Sequence, residues 1–292
     1  MRIFCGTDES QDVATRVLEH SFRKHASGPV EFVEMRLGRN VHVPKPKDEK
    51  NRARTPFSFF RFCIPELAGF RGRALYCDAD MQVFADVAEL WRIPFGEQRV
   101  LCTNQPEAPA HWKNHAFFRP GRQFSVMLLD CSRLDWKIQE IVERMDRGEF
   151  GYQQLLHECC LVRPEEIADR IPSEWNHLDH FEMPPAAAGA PSPGTKLVHY
   201  TVVSTQPWKN DRNHLVPLWM RGFAEAVQAG AVERDLVARG IEQGHLKPRL
   251  LRAWDRAKSG ELDDSPLAKT LVRLRQALKG SGRTKWAERQ DG

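Results

Sequence analysis

The seven cysteines of this 292-residue chain (Cys5, Cys63, Cys77, Cys102, Cys131, Cys159 and Cys160) include no C-x-x-C pair. An odd number scattered over so long a chain argues against a disulfide framework and leaves them as reduced core thiols of a cytoplasmic protein. Nowhere does an uninterrupted apolar stretch approach the roughly 18 residues that a membrane-spanning helix needs. The opening MRIFCGTDES returns to charge after a few apolar residues, so no signal peptide is expected. No G-x-G-x-x-G follows the first apolar run, which sets aside a nicotinamide-dinucleotide site. The body carries no basic stripe interleaved with aromatics, which argues against a nucleic-acid partner. Internal repeats and long low-complexity tracts are missing as well.

What is present is an ordinary globular composition, 41% hydrophobic and 28% charged, in a chain long enough for a large α/β domain. The net charge of +4 averages two unlike parts. From His245 onward twelve Lys and Arg face six Asp and Glu, a net of +6, which leaves −2 for residues 1–244. The expected division is a globular domain over 1–244 and a basic helical tail over 245–292. In the tail, Ser265-Pro266 opens a helix with Leu267, Leu271, Leu274 and Leu278 on one face, basic residues around the rest, and Gly280 as its stop. Such a helix either docks on the body through its Leu stripe or contacts an anionic membrane surface.

Along the body, a strand over 2–6, a helix over 13–25 with Val13, Val17, Leu18 and Phe22 at helical spacing, and a strand over 29–35 make a βαβ opening. The polar, basic segment 37–55 is too long for a tight connection and reads as a functional surface loop. Thr55-Pro56 opens a helix bearing Phe60, Ile64 and Leu67. Further strands are expected over 99–103, 124–131 and 196–202, with helices over 136–145, 152–158, 214–229 and 231–243. The fold class is therefore α/β.

The run 73–84, RALYCDADMQVF, passes from apolar residues into Asp78-Ala79-Asp80 and back. Two half-buried carboxylates this close stay ionised only with a cation between them. Hard oxygen ligands on a tight turn suit Mg²⁺ or Mn²⁺, ions that keep positions open for phosphate oxygens. A metal-bridged diphosphate substrate is one reading of the triplet. The other is an Asx-type turn with Asp80 capping the next helix.

Three further features join it. Ligands of open α/β sheets bind at the carboxyl ends of strands, so Gly6-Thr7-Asp8-Glu9-Ser10 after the first strand should share a crevice with the Asp-x-Asp turn. There Gly6 would allow close backbone approach, and Thr7, Asp8 and Ser10 would face a base or ribose; helix capping by Asp8 or Ser10 is the alternative. His199, in KLVHYTVV, is either a third metal ligand or a hydrogen-bonded core histidine. Arg61 pairs with an Asp or a phosphate, or is a surface helix residue.

The order of these motifs resembles the family 8 retaining glycosyltransferases. The likeness spans about 2–208 and includes the Asp-x-Asp, the strand FSVMLL, Tyr152-Gln153-Gln154, Glu174-Trp175-Asn176, and His199-Tyr200 followed by Pro207-Trp208. It implies a GT-A fold, a mostly parallel Rossmann-like sheet flanked by helices. The implied reaction is metal-dependent transfer of a hexose, with retention, from a nucleotide-sugar, commonly UDP-linked, to a glycan, lipid-linked or other hydroxyl acceptor.

Carried over residue by residue, the resemblance implies that Asp78, Asp80 and His199 hold Mn²⁺ (or Mg²⁺). Gly6, Thr7, Asp8, Ser10 and Ala79 would bind the nucleotide, with Arg61 near the donor phosphates. Gln153 and Asp80 would be catalytic, Gln153 beneath the anomeric carbon. Gln123, Ser125 and Tyr152 would line the donor-sugar pocket, and Gln206, Trp208 and Lys209 would close over the phosphates.

Departures from the family pattern fall on the sugar and phosphate contacts. Asn-x-Gly is here Gln123-Phe124-Ser125, and the leading Asp of Asp-Gln-Asp is Tyr152. The closing Gly and Lys are replaced near Val202 and Gln206, with one extra residue before Pro207; Lys209 is the candidate to restore the charge. The rival readings are a nucleotide-binding protein with a degenerate site and a phosphatase of the Asp-x-Asp type. The phosphatases carry their motif on the first strand, whereas here it lies on a later one and continues Met81-Gln82. Acceptor choice is expected from the loops 37–55 and 108–121, where Lys45, Lys47, Lys50, Arg52 and Arg54 would tolerate an anionic acceptor.

Overall fold

The computed structural model describes residues 1–105, 121–179, 190–211 and 213–260. Strands β1 (Arg2–Gly6), β2 (Glu31–Met35) and β3 (Arg73–Asp78) form a parallel trio. It belongs to a six-stranded sheet that also contains β5 (Val100–Gln105), β6 (Gly121–Asp130) and β7 (Ile167–Ile171), in the order β2-β1-β3-β6-β5-β7. Only β6 runs against its neighbours, so the sheet is mostly parallel, as expected. A second, three-stranded sheet joins β4 (Met81–Val83), β8 (His177–Leu178) and β9 (Leu197–His199) in the order β4-β9-β8.

The apolar run of β3 is continuous because both faces of the sheet are covered. Ala74 and Tyr76 pack into one cluster with Phe59, Phe60 and Phe62 and with Ile141 of α4 (Ile138–Asp146). Leu75 and Cys77 face the other way, onto Leu18 and Phe22 of α1 (Asp12–His25). All seven cysteines are free thiols, six of them buried, as the sequence led us to expect.

A third cluster joins α1 to a helical layer of α5 (Val216–Gln228), α6 (Arg234–Glu242) and α7 (Arg249–Ser259). Helix α7 lies beyond the boundary expected at residue 244, yet Leu246, Leu250 and Ala257 are buried in that layer. Packing is thus continuous past the start of the basic segment. The expected helix over 265–280, most of the tail and the loop segment 108–120 lie outside the described residues. Within the described residues no helix is long and apolar enough to cross a membrane.

Other expectations need correction. The helix opened by Thr55-Pro56 does not form at once: a 3₁₀ turn over Phe60–Cys63 precedes α2 (Ile64–Leu67). The run 73–84 is two strands in two sheets. Helix α3 (Val87–Trp91), β7 and β8 were not anticipated; β8 has only two residues, too short for any periodicity to show.

The helical layer approaches the small sheet through a close contact that requires glycine. A Cβ on Gly222 of α5 would stand 2.1 Å from Nε2 of Gln82, a buried side chain on β4 that accepts a hydrogen bond from the Tyr200 hydroxyl at 2.9 Å. Gly222→Ala should therefore lower stability by about 1–3 kcal/mol through overpacking. Gly28→Ala is the control, since a Cβ there meets only the Met1 side chain at 4.0 Å. Urea denaturation of both variants checks this, and equal midpoints would refute it.

Candidate active site

Strand β3 leaves the central sheet at Asp78, and the chain enters the small sheet at Met81, so Asp78-Ala79-Asp80 is a crossover between sheets. Ala79 is buried and anchors the turn, while the carboxylates on either side remain partly accessible. The antiparallel register sets Met81 opposite His199, and the Tyr200 amide donates to the Asp80 carbonyl at 2.8 Å. His199 Nε2 thereby lies 3.2 Å from Asp80 Oδ1. One donor atom from each of Asp78, Asp80 and His199 falls within 4.8 Å of the others, the one such group among the described residues.

Burial pushes the Asp78 carboxyl above its ordinary value, the Arg61 guanidinium works against this, and the nearby Asp80 adds to the rise. For His199 burial disfavours the charged ring, but Asp80, by charge and hydrogen bond, with Asp78 and Asp179 behind it, raises its pKa above the usual imidazole value. Two oxygen donors and one imidazole, partly open to solvent, are a donor set that fits Mn²⁺ or Mg²⁺.

Each member is held by further side chains. The Tyr76 hydroxyl donates to Asp78 Oδ1, and Arg61 Nη2 lies 3.5 Å from the same oxygen. Arg61 also covers the Tyr76 ring at 4.8 Å and donates through Nη1 to the Phe124 carbonyl, so it is a buried partner of the site. Gln206 Nε2 donates to Asp80 Oδ2 at 2.9 Å. His199 Nδ1 donates to Asn176 Oδ1 at 3.0 Å. Asn176 in turn gives its amide hydrogens to Thr103 Oγ1 (3.2 Å) and Ser125 Oγ (3.1 Å). Buried Asp179 accepts from the Thr201 hydroxyl at 3.1 Å, and its own amide donates to the His199 carbonyl at 2.9 Å.

The loop after β1 reaches the same edge, because Gly6 pairs with Asp78 across the parallel ladder. Its side chains divide in an unexpected way. Thr7 turns inward, its hydroxyl 2.7 Å from that of Thr15, and leaves no hydroxyl for a nucleotide. Asp8 caps the following 3₁₀ turn by accepting from Ser10 N (2.9 Å) and Ser10 Oγ (2.6 Å). Lys209 is half-buried; burial lowers its pKa, and the charges of Asp8 and Asp80 oppose the shift.

Trp208 is fully buried, with its ring centre 5.9 Å from Tyr200 and 5.2 Å from Trp219. It packs the closing loop onto the helical layer. Tyr152 is drawn toward the 48–58 segment: its amide donates to Asn51 Oδ1 at 3.1 Å, its hydroxyl to Ser58 Oγ at 3.4 Å, and the Arg54 guanidinium lies 4.9 Å over its ring. Gln153 is exposed at the entry to a π-helical turn over Gln154–Glu158. Gln123 accepts the Thr103 hydroxyl on its backbone carbonyl at 3.4 Å. Sequence reasoning noted Asn176 only as part of the Glu174-Trp175-Asn176 segment and missed Tyr76. Its place two residues before Asp78, on the same strand face, was the available signal.

A mostly parallel sheet with an Asp-x-Asp crossover beside a histidine at its carboxyl edge is the arrangement that the resemblance to glycosyltransferases of the GT-A type implied. The model of glycosyl transferase family 8 matches residues 6–155, and the chain belongs to that family. Protein CDI of Arabidopsis thaliana is 28% identical over 245 residues, covering 80% of this chain and 90% of that protein. Among solved structures, the galactosyltransferase LgtC with donor and acceptor sugar analogs is 13% identical and covers 80% of this chain and 96% of its own, with a TM-score of 0.52. An active-site mutant of LgtC gives 14% identity, 84% and 100% coverage and a TM-score of 0.53. At these identities the structures bear on the fold.

Asn176 carries the densest side-chain load around His199. Asn176→Ala strips partners from His199, Thr103 and Ser125 at once, and should cost about 1–3 kcal/mol by leaving buried polar groups unsatisfied. Ser125→Ala removes one of those contacts and should cost less. Denaturant titration of the two variants decides, and the reverse order would contradict the network.

Proposed function

We propose that the chain is a metal-dependent, retaining hexosyltransferase that uses a nucleotide-sugar, UDP-linked, and delivers the sugar to a hydroxyl of a glycan or lipid-linked acceptor. The observation that supports this best is the convergence of Asp78, Asp80 and His199 within 4.8 Å at the strand edge that also carries the Gly6 loop. These three residues would hold the Mn²⁺ or Mg²⁺. Such an ion supplies neutralisation of the charge that develops on a diphosphate as the sugar–oxygen bond breaks.

The protein's own groups account for the rest. Gly6, Asp8, Ser10 and Ala79 line the nucleotide side through backbone and capping groups. Thr7 drops out because its hydroxyl is committed to Thr15. Lys209, half-buried and within the electrostatic reach of Asp8 and Asp80, is assigned to the diphosphate. Arg61 acts on Asp78, holding the carboxylate in place. Gln153, with Gln123, Ser125 and Tyr152 nearby in the family pattern, is assigned to the donor sugar, its amide carbonyl facing the anomeric carbon. No carboxylate stands at that position, so retention follows from front-face attack. The bond between the anomeric carbon and the phosphate oxygen breaks, the bond to the acceptor oxygen forms, and the acceptor's proton passes to the departing phosphate oxygen.

On the acceptor side, the basic residues of 37–55 suit an anionic glycan or lipid-linked acceptor. A cytoplasmic location, with the basic C-terminal segment at an anionic membrane surface, completes this reading.

Calorimetry with UDP, in the presence and absence of Mn²⁺ and with GDP as control, tests the proposal. Binding that needs Mn²⁺ and prefers UDP is expected; binding of neither nucleotide returns the Asp-x-Asp turn to a structural role. Asp78→Asn and Asp80→Asn should each lower metal-dependent turnover by roughly two to three orders of magnitude with an unchanged circular dichroism spectrum. Full activity in both variants would refute the ligand assignment. Tight UDP binding without turnover for any donor sugar would indicate a degenerate site.

A further inference from the structure

Gln206 stands where the family pattern has a cation, yet the structure gives it other work. It is completely buried, and its Nε2 lies 2.9 Å from Asp80 Oδ2 and 3.2 Å from the Tyr200 carbonyl oxygen. Both partners are pure acceptors, so the amide can point only one way: the nitrogen faces them and the oxygen faces Gln11 Nε2, at 3.5 Å. Each of the two amide hydrogens is therefore committed. Gln206 has no donor left for a substrate phosphate, and its carboxamide oxygen would repel one.

The opposite side of the carboxylate is equally informative. Asp80 Oδ1 faces His199 Nε2, while Oδ2 is occupied by Gln206, so one oxygen remains turned toward Asp78 and His199. The Gln206 backbone is fixed in turn, its carbonyl accepting from the Lys209 and Asn210 amides at 2.8 and 2.9 Å. A second carboxamide, Asn176, holds the histidine in the corresponding way.

We infer that Gln206 is a positioning residue for Asp80: its carboxamide holds one carboxylate oxygen and presents the other to the cation site. The inference rests on the proposed metal site for its functional consequence, but the Gln206–Asp80 contact can be tested without metal. A lysine at 206 would place its charge on Asp80 itself, the carboxylate that Gln206 holds without neutralising it.

Gln206→Met keeps the side-chain volume and removes the amide; Gln206→Lys restores the family-like charge. In metal-free protein, the side-chain amide resonances of Gln206, identified by their loss in Gln206→Met, should shift when Asp80 is changed to Ala. Unmoved resonances would overturn the inference. With Mn²⁺ alone, both variants should bind the ion about tenfold more weakly than the parent, the range seen when residues that orient metal ligands are lost. At saturating Mn²⁺, UDP affinity should stay within about twofold for Gln206→Met and fall at least tenfold for Lys209→Ala. Unchanged Mn²⁺ affinity in Gln206→Met, or tighter UDP binding in Gln206→Lys at saturating Mn²⁺, would also overturn it. A parent protein that binds no Mn²⁺ but shows the amide shift would refute the metal reading while the Gln206–Asp80 contact stood.

Discussion

The site depends on one event in the chain: the change of sheet between Asp78 and Met81. A strand that simply continued would keep Asp78 and Asp80 on one face but hold them a two-residue repeat apart, about 7 Å, with no partner strand to bring a histidine between them. Instead the backbone turns about a buried Ala79 and pairs with β9 in a register that sets Met81 against His199. A slip of one residue in that pairing would carry His199 to the other face of the small sheet. The positions of both carboxylates and the imidazole thus follow from one small buried side chain and three residue pairings.

Around that crossover the protein holds like charges together with mostly neutral groups. Tyr76, Asn176 and Gln206 orient the three donors by hydrogen bonds, and Arg61, largely shielded from solvent, is the charged partner beside Asp78. Carboxamides fit this task because they bridge acceptor and donor without neutralising the carboxylate that a cation would need. Burial raises the Asp78 carboxyl, and the charge and hydrogen bond of Asp80 raise His199 against the effect of burial. Displaced titration of this sort is expected where a fold preorganises charge for a ligand rather than for its own stability.

The helical layer explains the departures in the closing loop. Trp208 stacks into the layer with Trp219 and Tyr200, and the Trp208 carbonyl accepts the Lys247 amide at 3.0 Å just before α7. That anchoring turns the segment 206–209 inward at Gln206 and Trp208 and leaves Lys209 half-buried. The first residues of the basic C-terminal segment therefore take part in fixing the loop, although their composition alone suggested a separate tail.

Much of the fold was legible in the residues because local rules governed it. The continuous apolar run of β3, the helical spacing of α1 and the βαβ opening need only neighbours in sequence to be read. The trio Asp78, Asp80 and His199 was legible too, through motif order more than through chemistry. What the chain could not disclose by itself were partnerships over long separations: Asn176 with His199, Gln206 with Asp80, Thr7 turned in to Thr15, and Trp208 placed in a hydrophobic layer. A carboxamide, a hydroxyl or an indole can either meet a ligand or satisfy the protein's own buried groups. Sequence determined which of these groups were available and roughly where along the sheet edge they would stand. Tertiary structure decided which way each one turned, because only packing from distant segments settles which hydrogen bonds remain free once the interior is satisfied.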